Sequence, residues 1–308
     1  MGNKNKLTVT IGIPAFNEEA NIGNLLNLLK EQEQKDYILK KVIVASDGSN
    51  DNTVKIASSF DLPGLLVLEN YFRKGAPYRQ NQIISYTDTD ILVLLNADLL
   101  PQDSLFIEKL VRPIIDRKSD LTSVRLREIP PQNFIEETIA VSNIFKNYLF
   151  ENINQGNNIY TCKGIARAFS KRLYNKIDFK QFTAEDAHSY LFAKKFGFKY
   201  QYAKDAVAIF KLPQNVEDHL RQSQRFFQAR DELVSEYGYQ FVKNHYSIPV
   251  APALKAFLRI FAQYPLHTFF YLYILAISKI KAKIKPYVFN KGIWQISSST
   301  KYLDYPHD

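Results

Sequence analysis

The 308-residue sequence predicts an α/β fold, a mostly parallel sheet flanked by helices, followed by a helical region of different character toward the C-terminal end. Short β-branched apolar runs alternate with stretches at helical spacing about every thirty residues, the pattern of βαβ units. Hydrophobic residues make up 46% of the chain and aromatics 14%, enough for a sizeable core and too many for a disordered chain. Past residue 259 the pattern changes: 260–278 carry no formal charge except at His267, and basic residues stand on both sides.

Each element has its own signal. Residues 7–13 are apolar and β-branched, a buried strand closed by Pro14, and leucines at helical spacing follow over 21–30. Residues 41–45, 65–68 and 91–95 are three further strands, separated by helices over 52–60 and 77–86. After residue 120 the alternation loosens: a strand over 121–126, a break at Pro130-Pro131, a helix over 135–150 and a polar loop over 152–158. A helix over 182–196 begins in the acidic run Glu185-Asp186 and stops at Gly197; 198–202 reads as a strand and 216–237 as a long charged helix. The run 260–278 is borderline for a membrane span, which takes about 20 apolar residues. Gln263, Pro265 and His267 weaken spanning, while Tyr264, Tyr271 and Tyr273 suit an interface. Membrane association, spanning or surface-lying, is expected there, with a buried aromatic helix as the competing reading.

The formal net charge of +9 favours anionic partners: nucleic acid, anionic lipid or phosphorylated small molecules. Nothing beyond that charge points to nucleic acid, which is not expected as a partner. A single cysteine, Cys162, rules out an intramolecular disulfide and Cys-rich zinc sites, and fits a reducing compartment. Residues 1–6 are polar and lack a signal-peptide apolar region, so catalysis is expected on the cytoplasmic side.

In open sheets of this kind ligands bind beyond the carboxyl ends of the strands. Three such ends carry polar or acidic runs: Pro14-Ala15-Phe16-Asn17-Glu18, Ser46-Asp47-Gly48-Ser49-Asn50-Asp51 and Asn96-Ala97-Asp98. Together they make a site. The first lacks the Gly-x-Gly-x-x-Gly turn of a dinucleotide binder, which argues against a dehydrogenase. An acidic residue just past a strand, as at Asp98, suits Mg2+ or Mn2+, which take one or two carboxylates plus phosphate oxygens and water.

Five runs, in order, carry a resemblance. They are Ile11 through Glu19; Val44 through Thr53, close to Asp-Asp-Gly-Ser-x-Asp-x-Thr; Asn96-Ala97-Asp98, where an Asp-x-Asp metal motif is expected; Ala184-Glu185-Asp186; and Gln222-Ser223-Gln224-Arg225-Phe226, close to Gln-x-x-Arg-Trp. Over residues 7–230 the chain resembles the family-2 inverting glycosyltransferases of GT-A fold. The resemblance implies that Pro14, Ala15, Asn17 and Glu18 line a nucleotide pocket and that Asp47 contacts the base. It implies that Lys74 and Arg79 approach the diphosphate, Asn96 and Ala97 lie against the donor, and Asp98 ligates a divalent cation. Asp186 would be the general base, with Glu185, Gln222 and Arg225 closing over donor or acceptor. It further implies a nucleotide-sugar donor (UDP- or GDP-linked), and a lipid-linked or cell-envelope glycan acceptor fits the basic, aromatic C-terminal region.

The chain departs from that pattern. Ser46 stands where the family has an acidic neighbour of Asp47, and Asn96 replaces the first metal-motif aspartate, so affinity for the cation should fall. No histidine follows in 206–211, and Phe226 replaces Trp. Asn96 motivates an alternative, a noncatalytic nucleotide- or glycan-binding protein of the same fold. Plainer readings compete at single sites: Asp47-Gly48-Ser49 as a helix-capping turn, Asp98 as a turn before Pro101, and Glu185-Asp186 as dipole-stabilised helix starts. His188 and His219 are read as ordinary helix histidines rather than ligands. The expected organisation is a GT-A domain over 1–240, its nucleotide-sugar half 1–127 and acceptor half 128–240, followed by a membrane-proximal region over 241–308.

Overall fold

The computed structural model describes residues 6–180 and 182–284 together with Ile293 and Leu303, apart from the side chains of 221–228 and 281–284. Its strands are β1 (Leu7–Ala15), β2 (Tyr37–Ser46), β3 (Leu66–Leu68), β4 (Ile91–Leu95), β5 (Leu100–Pro101), β6 (Leu121–Glu128), β7 (Ala166–Ser170) and β8 (Tyr200–Phe210). They form one sheet in the order β3-β2-β1-β4-β7-β6-β8-β5. Four successive neighbours, β3, β2, β1 and β4, run parallel, as do β6 and β8. The sheet is mixed, because β7 is antiparallel to both β4 and β6, and β5 to β8.

The helices are α1 (Ile22–Lys30), α2 (Thr53–Ser58), α3 (Ala76–Ser85), α4 (Phe106–Ile115), α5 (Phe134–Asn152), α6 (Lys171–Tyr174), α7 (Glu185–Lys195), α8 (Val216–Tyr237), α9 (Tyr239–His245), α10 (Val250–Gln263) and α11 (Pro265–Ile284). Alternation along the strands sorts side chains onto two faces. Ile91, Val93 and Leu95 of β4 pack with Leu25 of α1 and Leu110 of α4, while Leu92 and Leu94 pack with Ile83 of α3 and Leu191 of α7. Both faces are covered, which is why the strands read as continuous apolar runs rather than alternating ones.

Besides the two-residue β5, which no run signalled, two strands differ from expectation. No run signalled β7, a five-residue strand interrupted by Arg167, whose charge is carried into the core. β8 extends eight residues beyond the expected 198–202 strand, to Phe210. Its pairing with β6 steps from Val124↔Ala203 to Arg125↔Val207, so Lys204 and Asp205 sit in a bulge and only seem to end the strand.

The apolar run 260–278 is not one helix. Tyr264, before Pro265, sits at φ −135°, ψ 60°, outside the helical region that a residue preceding proline disfavours, and there α10 ends and α11 starts. Among the described residues no helix is long and apolar enough to cross a membrane. The two helices instead pack on each other and on α5, and α11 also meets α8.

Candidate active site

Parallel register brings the loops together. Pro14 pairs with Ala45 and Ala15 with Ser46, and Gly12 pairs with Leu94, so the segments after β1, β2 and β4 leave the sheet side by side. The first two are knitted by hydrogen bonds. The Asn17 N–H donates to Ser49 Oγ at 3.1 Å, and Asn17 Oδ1 accepts from the Asn50 N–H at 3.0 Å. The Glu18 N–H donates to Thr53 Oγ1 at 2.7 Å and the Glu19 N–H to Asp51 Oδ2 at 3.1 Å. Asn17 has φ 51°, a left-handed conformation that asparagine tolerates better than most residues. Ser46, at the non-family position, donates its hydroxyl to Ser49 Oγ at 3.0 Å.

Asp47 is 4% exposed and its carboxylate is fully engaged. It accepts from the Lys74 N–H and the Gly75 N–H, each at 2.8 Å, and from Arg79 Nε at 2.7 Å. Arg79, 2% exposed, also donates to the Phe72 carbonyl at 2.6 Å and to Gln82 Oε1 at 3.0 Å. Asp47 and Arg79 therefore hold residues 70–75 against the second loop. Gly48 permits that approach: at φ 78°, a Cβ there would stand 3.0 Å from the Arg73 nitrogen. The exposed cation of this segment is Lys74, whose ammonium lies 3.2 Å from the Tyr78 hydroxyl and 4.3 Å from its ring centre. Arg73, which no sequence signal singled out, places its guanidinium 3.9 Å from the ring centre of Phe16 and ties the first loop to the loop after β3.

A second chain of contacts runs from β4 to α7. The Asn96 N–H donates to the Ile165 carbonyl at 2.8 Å, Ala97 is buried, and Asp98 is half-buried at the strand exit. Next to Ile165, Gly164 lies so close to α7 that a Cβ there would be 2.9 Å from Glu185 Oε1 and 3.6 Å from Asp186 Cβ. Thus the backbone leading into Asp98 meets, through Asn96 and Ile165, the segment that packs at Gly164 against Glu185 and Asp186. Their neighbours differ in role. Glu185 is 1% exposed and faces Arg167, which is fully buried, at 3.7 Å. Arg167 also donates to the Glu185 carbonyl at 2.9 Å and to Ser189 Oγ at 2.6 Å, fixing the start of α7. Asp186 is half-buried and accepts from the Ala187 N–H at 2.7 Å.

The wall behind Asp186 holds groups that the sequence did not flag. Burial, reinforced by Lys146, pulls the Lys163 ammonium down to about 8, with Asp186 opposing. Burial pushes the Cys162 thiol far up. Gln222 and Arg225 lie on α8, in the stretch whose side chains are outside those described.

For a metal, the donor set is one carboxylate, Asp98, beside the neutral amide residue Asn96. Among the described residues no three His, Cys, Asp or Glu side chains form a metal cluster. One carboxylate fits a cation that draws its other ligands from phosphate oxygens and water, as Mg2+ and Mn2+ do.

The histidines behave as ordinary core residues. His188 stacks 4.3 Å from Phe182, its Nε2 meets the Asp178 carbonyl at 2.9 Å and its Nδ1 the Tyr237 hydroxyl at 2.8 Å. Burial lowers its pKa from 6.5 to about 4. The folded ring resists a proton that the unfolded ring accepts, so this contribution to stability is complete above pH 6.5 and is lost as pH falls toward 4. The loss is on the order of 3 kcal/mol. Urea unfolding across that window should show a shallower pH dependence for His188→Phe than for the wild type.

The sequence profile described as Glycosyl transferase family 2 matches residues 10–178, more than half of the chain. A 4,4'-diaponeurosporenoate glycosyltransferase of Staphylococcus aureus is 32% identical over 99 residues, which are 32% of this chain and 25% of that protein. The chain thus spans a quarter of the length of the curated relatives it matches. The mannosyltransferase PcManGT of Pyrobaculum calidifontis, solved with GDP-Man and Mn2+, superposes with a TM-score of 0.60 at 18% identity, over 92% of this chain and 77% of that one. Residues 1–349 of TarS from S. aureus superpose with a TM-score of 0.57 at 15% identity, over 92% and 76% of the two chains. The shared architecture is a GT-A-like α/β fold.

Proposed function

The chain belongs to glycosyl transferase family 2, and we propose that it moves a sugar from a UDP- or GDP-linked donor to a hydroxyl of a cell-envelope glycan or lipid, inverting the anomeric centre. The observation that supports this reading is the continuity from Asn96, two residues before Asp98, through Ile165 and Gly164 to Asp186.

The knitted first and second loops, with Phe16 under Arg73, form the nucleotide end. Lys74, in the loop after β3, holds its exposed ammonium beside the Tyr78 hydroxyl as a positive charge for a phosphate. Asp98 would hold a divalent cation, Mg2+ or Mn2+, which when bound neutralises charge on the diphosphate leaving group. Asp186 takes the proton of the acceptor hydroxyl as that oxygen attacks the anomeric carbon from the side opposite the diphosphate, and this geometry inverts the configuration. Support for the donor class comes from the fold neighbour solved with GDP-Man and Mn2+. Support for the acceptor class comes from the diaponeurosporenoate glycosyltransferase, 32% identical over 99 residues.

A thermal-shift comparison of UDP, GDP and ADP with and without Mn2+ tests the donor half. UDP or GDP with Mn2+ is expected to stabilise the protein by about 2.7 kcal/mol at a hundred times Kd. Asp98→Asn should abolish the Mn2+-dependent part. If the Mn2+-dependent gain survives in that variant, Asp98 is not the ligand; if no nucleotide gives a shift, the transferase reading loses its donor.

The noncatalytic alternative rests on Asn96. It predicts nucleotide binding with no donor turnover, and with no difference between wild type and Asp186→Asn.

A further inference from the structure

The hairpin of α10 and α11 has an inner, buried face and an outer face that is exposed among the described residues. Ala256 and Ile260 of α10 and Thr268, Ile274 and Ser278 of α11 face inward and are buried. The outer face carries Val250, Leu254, Leu258 and Phe261 on α10, spaced by four, four and three residues, and Leu266, Phe269, Tyr273 and Ile280 on α11. These are not grazing exposures: Val250 is 81% and Phe269 66% exposed. Apolar side chains so concentrated on two adjacent helices mark a binding surface rather than a scatter of single residues.

Charge says what kind. From residue 246 to residue 303 the sequence holds eight Lys or Arg and no Asp or Glu. Lys255 and Arg259 lie on α10 beside the apolar stripe, and Lys279 stands near the end of the α11 stripe. A second copy of this surface would meet its own positive field. A helical hairpin without acidic residues of its own, bearing Lys255, Arg259 and Lys279 beside an apolar stripe, is complementary to anionic headgroups lying over acyl chains. Two helices broken at Tyr264, neither able to span, lie on such a surface rather than cross it.

We propose that the α10–α11 hairpin docks flat on an anionic lipid bilayer, with its Val250–Phe261 and Leu266–Ile280 stripes in the interface. The hairpin is also seated beside the acceptor side of the cleft. Phe134, the first residue of α5, lies 5.0 Å from the His267 ring and 5.1 Å from the Phe270 ring, and Glu137 meets His267 Nε2 at 3.2 Å. His219, in the first turns of α8, lies 5.8 Å from the Tyr271 ring. Both α5 and α8 start just past β6 and β8, whose carboxyl ends share the sheet edge with Asp98. A docked hairpin therefore sets that edge at the lipid surface, where an acceptor embedded in lipid arrives. This last consequence rests on the transferase reading; the docking does not.

Co-sedimentation of the full chain with vesicles of phosphatidylcholine alone, or of phosphatidylcholine mixed with phosphatidylglycerol, reads the docking without donor or acceptor. Binding should be at least about tenfold stronger to the anionic vesicles and should fall by a similar factor as salt rises. Leu258→Glu combined with Phe269→Glu, both at exposed sites, should cut binding about tenfold or more, while circular dichroism and the UDP or GDP thermal shift stay as in the wild type. Equal binding to both vesicle types, no binding to either, or a lipid-independent dimer abolished by the same pair of substitutions would each overturn the proposal. Vesicle binding without sugar transfer would instead count against the transferase reading alone.

Discussion

Asp186→Asn is expected to slow sugar transfer by about a hundred- to ten-thousand-fold while nucleotide binding persists. The substitution keeps shape and the hydrogen bond from the Ala187 N–H, and removes only the capacity to accept a proton. Losing a charge at a helix start costs about 1 kcal/mol or less, so stability should hardly move. Glu185 makes a useful contrast. Its carboxylate faces the buried guanidinium of Arg167, so Glu185→Gln should lower stability more than it lowers the rate of the chemical step. Single-turnover rates set beside melting temperatures distinguish the two. Wild-type turnover in Asp186→Asn would remove this residue from the proton-transfer role.

Asp47→Ala should be the most destabilising change at the nucleotide end. It strands the charge of Arg79 in the interior and leaves the Lys74 and Gly75 N–H groups without their acceptor. Breaking one side of a buried pair costs about 3–5 kcal/mol. For a chain of this size that lowers Tm on the order of 10 °C. Because the two residues act as a unit, Asp47→Ala with Arg79→Met should be less destabilised than the sum of the single changes. Additive losses would show that the pair does not work as a clamp. Donor affinity should fall with the clamp, since residues 70–75 carry Lys74 and Arg73.

Much of this site could be read from the residue order. Parallel strands deliver their following loops to one edge, so Pro14 to Glu18, Ser46 to Asp51 and Asn96 to Asp98 had to be neighbours once the strands were recognised. What each side chain does there depends on partners far along the chain. Asp47 bonds to residues 27 to 32 positions later, and nothing in its own run reveals that its oxygens are taken up in holding a loop. The pairing of Arg73 with Phe16 is equally silent, because one arginine in a basic, aromatic chain resembles any other. β7 escaped notice because burying Arg167 is tolerable only with Glu185 and Ser189 supplied from α7, a compensation that periodicity does not register. Lys163 draws its lowered pKa from burial and from Lys146 on α5, seventeen residues earlier in the chain. Such environments exist only in the folded chain.

The knitting of the first loop to the second has an energetic corollary for donor capture. In the proposed nucleotide-binding role, segments that already hold one another through Asn17, Ser49, Thr53 and Asp51 would surrender little conformational freedom. Ordering flexible chain is one of the main costs of association, and here it is met during folding. The free energy of gripping the nucleotide is then left for distinguishing one sugar donor from another and for aligning the bond to be broken.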